Sequence, residues 1–246
     1  MRLGFYINPI AKLRDSEMVK EPEPAIIASQ ALFSGAQIII AGWTQSGGLL
    51  SERDLRILRE VIHGDLFILA PLDEEQIEQV IKLRPEGVIL VSSGWDGIRD
   101  FHTVQVEVDS EQMTSQASIY KVAGIQTFAL IEPEPNNIKT IARCDLTGVV
   151  IDTSEYAAAG SIKEAEETIE RLADTALAAN KFELVTAAGH GLNYQNVGPI
   201  AGLRYIEEIL IGRSIVARSV STGIQSAVKE MVNTIDRNYF TACTRR

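Results

Sequence analysis

Eight short apolar runs recur along the chain of 246 residues, and each is followed by a segment that can form an amphipathic helix or a loop leading to one. Continuous apolar runs are typical of strands that are buried on both faces of a parallel sheet. Eight strand–helix units with short connections therefore predict a (β/α)8 barrel, a fold that typically needs about 250 residues. An open doubly wound sheet is the alternative. The predicted strands cover residues 3–7, 37–41, 66–70, 87–91, 125–131, 147–151, 183–187 and 205–211.

The segments between the strands predict helices, except near the start of the chain. Residues 8–24 contain Lys12, Arg14 and three prolines, a composition that favours a long polar loop. Because no interior linker, low-complexity segment or repeat divides the chain, residues 1–246 are predicted to form a single domain. The predicted helices cover residues 25–34, 51–62, 73–83, 109–122, 138–144, 162–180 and 199–203, with a last helix from about 214 or 221 to 237.

Composition excludes several classes of partner. The net charge of −10 argues against a general surface for nucleic acid or anionic membranes, but not against a local positive pocket. Cys144 and Cys243 are too few for a disulfide framework, so a reducing cytoplasm is the simplest compartment. We find no signal peptide, no stretch of roughly 20 apolar residues that would span a membrane, and no cluster with metal-ligand spacing.

The stretch that most suggests chemistry is AAGHGLNYQNV, residues 187–197. Gly189 and Gly191 flank His190 near the carboxyl end of the seventh predicted strand. Glycine lets backbone N–H groups approach an anion closely, and histidine is suited to proton transfer near neutral pH. A plain strand-to-helix turn with a hydrogen-bonded histidine explains the same residues.

The last quarter of the chain, with AAGHGLNYQNVGPIAGL and EEILIGRSIVARSVSTGIQSAV, resembles the pyridoxine 5′-phosphate synthase family. Asn8, the run Lys12-Leu13-Arg14 and residues 51–59 are similar to the family's first third, so the likeness covers essentially the whole chain. The resemblance implies a (β/α)8 barrel that assembles into octamers. It also implies condensation of 1-deoxy-D-xylulose 5-phosphate with 3-amino-2-oxopropyl phosphate, without a metal or organic cofactor.

The resemblance implies that His190 is a catalytic acid or base. It also implies that the glycines around His190 and the region after the eighth strand bind phosphate. Barrels commonly bind phosphate at the loops after strands seven and eight, which supports the same expectation. Arg213 and Arg218 can supply positive charge there, or can instead pair with acidic residues. The candidate phosphate- and substrate-binding residues are Asn8, Arg14, Gly189, Gly191, Ile211, Gly212, Arg213 and Arg218.

The chain departs from the family where catalysis is expected. Residues 42–48 carry no charge, whereas the family has a histidine followed by arginines and acids. Leu69 stands at about the position of a catalytic glutamate, and Pro9-Ile10 replaces an Asp-His pair. A glutamate and a histidine at the end of the sixth strand become Val150 and Asp152, although Thr153 is kept.

These departures predict a divergent barrel that binds a phosphorylated small molecule and has lost or changed the family reaction. Two alternatives stay open. The first is an active synthase in which His102, Glu132 or Asp152 replaces the missing acid and base. The second is a non-catalytic oligomeric scaffold or sensor.

The remaining candidates each have a structural explanation. His63 follows a helix and is expected on the surface at the far end of the barrel, and Glu155 can simply cap a helix. Lys12 can help to clamp a second phosphate or can be a solvated loop charge. Trp43 and Trp95 can line a ligand pocket or lie at a subunit interface.

Overall fold

The structure, a computed structural model, describes residues 1–15, 21–45, 47–98 and 101–244. Eight parallel strands pair in chain order, and β1 also pairs with β8, which closes the barrel. Closure confirms the predicted (β/α)8 barrel and excludes the open sheet. The strands are β1 Arg2–Tyr6, β2 Ile38–Gly42, β3 Asp65–Pro71, β4 Gly87–Val91, β5 Gln126–Ile131, β6 Gly148–Asp152, β7 Val185–Gly189 and β8 Glu208–Ile211.

Helices surround the barrel and cover the outer face of the sheet. None among the described residues is long and apolar enough to cross a membrane. The helices are α1 Asn8–Asp15, α2 Pro24–Phe33, α3 Glu52–Val61, α4 Ile77–Leu83, α5 Val106–Val122, α6 Ile138–Ile141, α7 Ser154–Ala158, α8 Ile162–Lys181, α9 Val197–Ala201, α10 Arg213–Thr222 and α11 Ile224–Thr244.

Alternation along each strand divides the core into two layers. In β2, Ile39 and Ala41 pack against the outer helices, whereas Ile38 and Ile40 belong to the cluster inside the barrel. The continuous apolar runs of the sequence follow from this arrangement, because both faces of each strand are buried.

An ion-pair cluster closes the amino-terminal end of the barrel. Arg2 pairs with Asp65 and with the buried Glu208, whose carboxylate lies 2.9 Å from the guanidinium. Burial outweighs the attraction of Arg2, so the pKa of Glu208 is raised above its usual value. These charges lie at the opposite end of the strands from the predicted site.

The predicted loop over residues 8–24 is wrong in its first half, which forms α1. Asn8 and Pro9 begin this helix, a position where proline is tolerated because it needs no backbone donor. Ile10 and Ala11 are buried, so tertiary packing stabilises a segment that its charges made look like a loop. Residues 16–20 of the same segment lie outside the described residues.

Element boundaries near the predicted site also shift. β7 covers Val185–Gly189 rather than 183–187, because Glu183 has a left-handed backbone with φ of +59° and ends the preceding turn. β8 begins at Glu208 after Tyr205, which has φ of +72°. Gly223, with φ of +77°, divides the predicted last helix into α10 and α11.

Candidate active site at the carboxyl end of the barrel

One cavity of about 610 Å³ opens at the carboxyl ends of the strands. Every strand contributes to it, so the cavity lies on the barrel axis. This is the end of a (β/α)8 barrel where active sites occur. The strand residues that line it are Tyr6, Ile40, Leu69, Ile89, Leu130, Val150, Gly189, Leu210 and Ile211.

His190 lines this cavity and pairs with the buried side chain of Asp152. Asp152 is the last residue of β6 and is in register with Gly189, the last residue of β7. His190 comes next in the chain, and its Nδ1 lies 3.2 Å from Oδ2 of Asp152. The pairing of β6 with β7 thus brings together two side chains that are 38 positions apart.

The surroundings of Asp152 favour its ionised form. Burial disfavours the ionised form of Asp152, but hydrogen bonds from His190 and from the Ser154 backbone N–H at 2.6 Å outweigh it. The pKa of Asp152 is therefore lowered below its usual value. An ionised Asp152 accepts a hydrogen bond from Nδ1–H, and in that tautomer Nε2 carries the lone pair of the neutral ring.

The backbone of His190 is held in an unusual conformation. Its φ of +87° is rare for a residue with a side chain. The hydroxyl of Thr153 donates a hydrogen bond of 2.6 Å to the His190 carbonyl, and the Thr153 N–H donates to Gly189. Strained backbone of this kind tends to occur at functional sites, where surrounding contacts maintain it.

The loop after β7 is fixed by neighbouring elements. The hydroxyl of Tyr156 on α7 donates a 2.8 Å hydrogen bond to the Asn196 carbonyl, and that of Tyr194 donates to Ala227 on α11. The side chain of Asn196 accepts from the backbone N–H of Asn193 at 2.6 Å. These hydrogen bonds hold the loop against α7 and α11.

The loops after β7 and β8 provide the side of the cavity that can accept an anion. Gly191, with φ of +81°, follows His190, and a Cβ there would lie 2.6 Å from Ala157. Gly212 precedes α10, whose first residues Arg213 and Ser214 line the cavity. The positive end of a ten-residue helix, whose first residue is an arginine, thus borders the cavity.

Aromatic rings cover one edge of the histidine. The ring centroid of Phe101, in the loop after β4, lies 5.1 Å from that of His190. Phe101 also makes edge contacts of 5.8 Å with Tyr6 and Trp95. The sequence singled out Trp95 but missed Tyr6 and Phe101. Alternation along β1 could have identified Tyr6, whereas Phe101 lies in a loop with no periodicity.

The wall formed by β2 to β5 is apolar throughout the described residues. Ile40, Leu69, Ile89 and Leu130 line it, and no charged side chain from these strands reaches the cavity. Leu69 and Val150, which stand where the resemblance places carboxylates, both face the cavity. Both of these cavity positions are therefore occupied by apolar side chains.

Several predicted site residues do not line this cavity. Arg14 donates to both Asp54 oxygens, at 2.9 and 3.0 Å, and to the Leu49 carbonyl. Asn8 uses its side-chain amide on both backbone groups of Gly42. Arg218 pairs with Glu230 on α11. Both arginines thus make structural ion pairs.

The other candidates lie near the cavity mouth or away from it. Lys12, His63 and His102 are exposed. Glu132 is exposed and accepts a hydrogen bond of 2.8 Å from Thr103. Glu155 pairs with Arg171 on α8.

The two tryptophans have separate environments. Trp43 is buried between the sheet and the outer helices, whereas Trp95 packs in the inner cluster at the mouth. Of the two tryptophans, Trp95 alone contacts the aromatic rings at the site.

Fold and site together define a (β/α)8 barrel with a histidine–aspartate pair and an anion-compatible side at the carboxyl end of its strands. The family model "Pyridoxal phosphate biosynthesis protein PdxJ" matches residues 3–237. The chain therefore belongs to this family, as its sequence resemblance indicated.

Individual relatives agree with the family model. The pyridoxine 5′-phosphate synthase of Chloroherpeton thalassium is 32% identical over 232 residues, which cover 94% of this chain and 98% of the relative. The synthase of Thermodesulfovibrio yellowstonii is 32% identical over 233 residues, covering 95% and 96% of the two chains.

Solved structures share the fold at low sequence identity. Phosphoribosylanthranilate isomerase from Thermotoga maritima matches with a TM-score of 0.55 and 11% identity, over 96% of this chain and 98% of that one. A lactate oxidase from Pediococcus acidilactici matches with a TM-score of 0.57 and 12% identity, over 89% and 66%. Identities at this level support the barrel fold alone.

Proposed function

We propose that this chain binds a phosphorylated small molecule at the loops after β7 and β8, and that it does not carry out the condensation of its family. The observation that carries the proposal is the division of one cavity. The β6–β8 side holds His190, which pairs with Asp152, and the start of α10, whereas the β2–β5 wall is apolar.

The phosphate anchor rests on three neighbouring features. Backbone N–H groups at the start of α10 face an anion with the positive end of the helix dipole. Gly191 permits close approach of the backbone, and Arg213 adds a full positive charge. The relatives are named for a phosphorylated product, which agrees with an anchor at this position.

The apolar wall is the argument against the family reaction. Ring-forming condensation needs several proton transfers, and each general acid or base typically contributes about 10²–10⁴-fold to the rate. His190 with Asp152 can hold and move a proton at one place. Losing two further groups would lower the rate by roughly 10⁴-fold or more.

An active synthase with replacement groups is the second candidate. Asp152 supports it, since this carboxylate lies beside the cavity residue His190, but it is engaged with His190 and Ser154. Glu132 and His102 are exposed in loops outside the cavity lining. The geometry therefore favours binding or a different reaction over the original one.

The test is turnover of the two family substrates, 1-deoxy-D-xylulose 5-phosphate and 3-amino-2-oxopropyl phosphate. Wild type is compared with His190→Ala and with His63→Ala, a matched control at the exposed far end of the barrel. We expect no pyridoxine 5′-phosphate from any of the three proteins. Product formed by wild type and His63→Ala but not by His190→Ala would establish the active synthase instead.

Binding is measured separately by thermal unfolding with inorganic phosphate and with 1-deoxy-D-xylulose 5-phosphate. A ligand at 100 times its Kd should stabilise the protein by about 2.7 kcal/mol. We expect stabilisation of wild type and His63→Ala, and a smaller effect for Arg213→Ala. No stabilisation by either compound would favour the scaffold.

We also propose a homo-oligomer, the octamer that the family resemblance implies. Ile26 and Phe33 on α2 are largely exposed in the single chain, and an interface would cover such side chains. Sedimentation velocity is the measurement. A species of one chain at micromolar concentration would contradict this proposal.

A further inference from the structure

The ligand cavity has two chemically different halves, and the boundary between them runs beside His190. Its polar lining comes mainly from the β6–β8 side, where Ser154, His190, Asn193, Arg213 and Ser214 lie. The opposite half is formed by aliphatic side chains from β2 to β5, by Phe101 and by Tyr6 of β1, whose hydroxyl lies beside Gly42 at the end of β2. A ligand that fills both halves must itself have two different ends.

We infer that the ligand is a phosphate monoester whose other end is a hydrocarbon body, either aliphatic or aromatic, without hydroxyl groups. This inference rests on the proposed phosphate site, because the phosphate fixes which end faces α10. The body then extends along the barrel axis toward Ile40, Leu69, Ile89 and Leu130.

The four aliphatic side chains of the wall give polar groups no partners. They carry no donor or acceptor, and the strand N–H and C=O groups behind them pair with neighbouring strands. A hydroxyl moved from water to this surface would lose its hydrogen bonds without replacement. A sugar-like chain with several hydroxyls is therefore a poor match for this half.

The apolar wall is a packed part of the barrel interior. Leu69 and Ile89 are 4% and 1% exposed, and they continue the packed inner cluster upward from Phe67 and Phe128. Phe101 lies between His190, Tyr6 and Trp95 and extends the apolar surface to the mouth. The cavity of about 610 Å³ leaves room for a body of several carbons above this floor.

His190 lies where the two ends of such a ligand meet. Its ring faces Phe101 on one side, and its Nδ1 faces Asp152 on the other. The atoms next to the phosphate ester would then lie beside the histidine, and the hydrocarbon would lie beyond it. The protein would thus recognise the phosphate through positive charge and the hydrocarbon through apolar contacts.

The experiment measures Kd by isothermal titration for inorganic phosphate, propyl phosphate, hexyl phosphate and glycerol 3-phosphate. We expect Kd to fall about fourfold for each methylene that reaches the wall. Propyl phosphate should bind at least about tenfold more tightly than glycerol 3-phosphate, because the hydroxyls of the latter lose their partners. Hexanol without phosphate should bind far more weakly than hexyl phosphate.

Variants locate the effect. Leu69→Gln should weaken hexyl phosphate at least about tenfold and leave inorganic phosphate unchanged. Leu177→Gln, an exposed leucine on α8, is the matched control and should change neither. Phe101→Ala tests the same wall from a loop if Leu69→Gln does not fold, and the wild-type ligand series is decisive without any variant.

The outcomes separate this inference from the proposed function. Glycerol 3-phosphate binding as tightly as propyl phosphate, or a flat series from propyl to hexyl, would overturn the hydrocarbon body while the phosphate site stands. No binding of inorganic phosphate or of any ester would overturn the phosphate site, and the inference would fall with it.

Discussion

The two sides of the barrel mouth differ in what their strands present to the same cavity. β6 and β7 end in Asp152 and Gly189, and their register places a carboxylate beside His190. β3 and β4 reach the cavity through Leu69 and Ile89, which have no polar atoms in their side chains. Both sides come from the same fold, so the fold permits chemistry at the mouth without requiring it.

The contrast also separates two kinds of polar group. Arg14 and Asp54 are largely buried on the β2–β3 side, but they tie α1 to the start of α3. Asp152 instead pairs with His190, which lines the cavity. The Arg14–Asp54 pair thus links two helices outside the cavity, whereas strand register places Asp152 beside a residue that lines it.

The largest expected effect comes from breaking the structural pair. Asp54→Ala should lower the free energy of unfolding by about 3–5 kcal/mol, because it leaves Arg14 buried without its carboxylate and removes the capping box with Ser51. Urea unfolding measures this. The exposed pair is the control, since Arg218→Ala should leave the unfolding free energy nearly unchanged. Equal effects would contradict the distinction.

A charge placed on the apolar wall should be costly in a pH-dependent way. Leu69→Glu introduces a carboxyl group without partners, so burial should raise its pKa in the folded state. A raised pKa means that stability is kept below the ordinary carboxyl range and lost as pH rises through the folded value. We expect about 2–3 kcal/mol more destabilisation at pH 8 than at pH 4, relative to Leu69→Gln.

Urea unfolding measures the destabilisation of Leu69→Glu at the two pH values. Equal destabilisation at pH 4 and pH 8 would show that water or a polar group hydrogen-bonds to the carboxylate at this wall. Recovery of synthase turnover by Leu69→Glu would be a stronger contradiction. It would mean that one carboxylate separates this chain from the family reaction.

On the polar side the pH dependence should have the opposite sign. The lowered pKa of Asp152 means that its contribution is present above the ordinary carboxyl range and is lost as pH falls through the folded value. We expect Asp152→Asn to be about 1–2 kcal/mol less stable than wild type at pH 6. The gap should narrow in unfolding experiments near pH 3, and a gap independent of pH would contradict the assignment.

The smallest effect on stability is expected at Phe101, between the polar and apolar halves of the cavity. Phe101→Ala removes the ring against His190 and should lower stability by about 0.5–1.5 kcal/mol. The His190 side-chain proton shifts, followed by nuclear magnetic resonance, should move as the ring current is lost. Unchanged shifts would mean that the two rings are not in contact in solution.

Much of the fold was predictable because it depends on local pattern. Continuous apolar runs identified the eight strands, since each strand is buried on both faces. The loop assignment for α1 failed because Ile10 and Ala11 are held by long-range packing that charge composition does not reveal. Boundaries at Glu183 and Tyr205 shifted because their positive φ values reflect tertiary constraint.

The site was predictable in part. Gly189, His190 and Gly191 line the cavity, and Leu69 lies in its apolar wall. Arg14 and Arg218 matched the expected residue types, yet each pairs with an acid elsewhere. Sequence gives the identity of a charge but not the partner that neutralises it.

Periodicity predicted the eight strand–helix units and favoured a barrel with its ligand at the carboxyl ends of the strands, because these depend on residue type and spacing along the chain. Closure between β1 and β8, which excludes an open sheet, was decided by the tertiary structure. The pairing of His190 with Asp152, the contact with Phe101 and the division of the cavity depend on register between distant strands and on loops that fold back over them. Such contacts join residues tens of positions apart, and three-dimensional packing alone selects them.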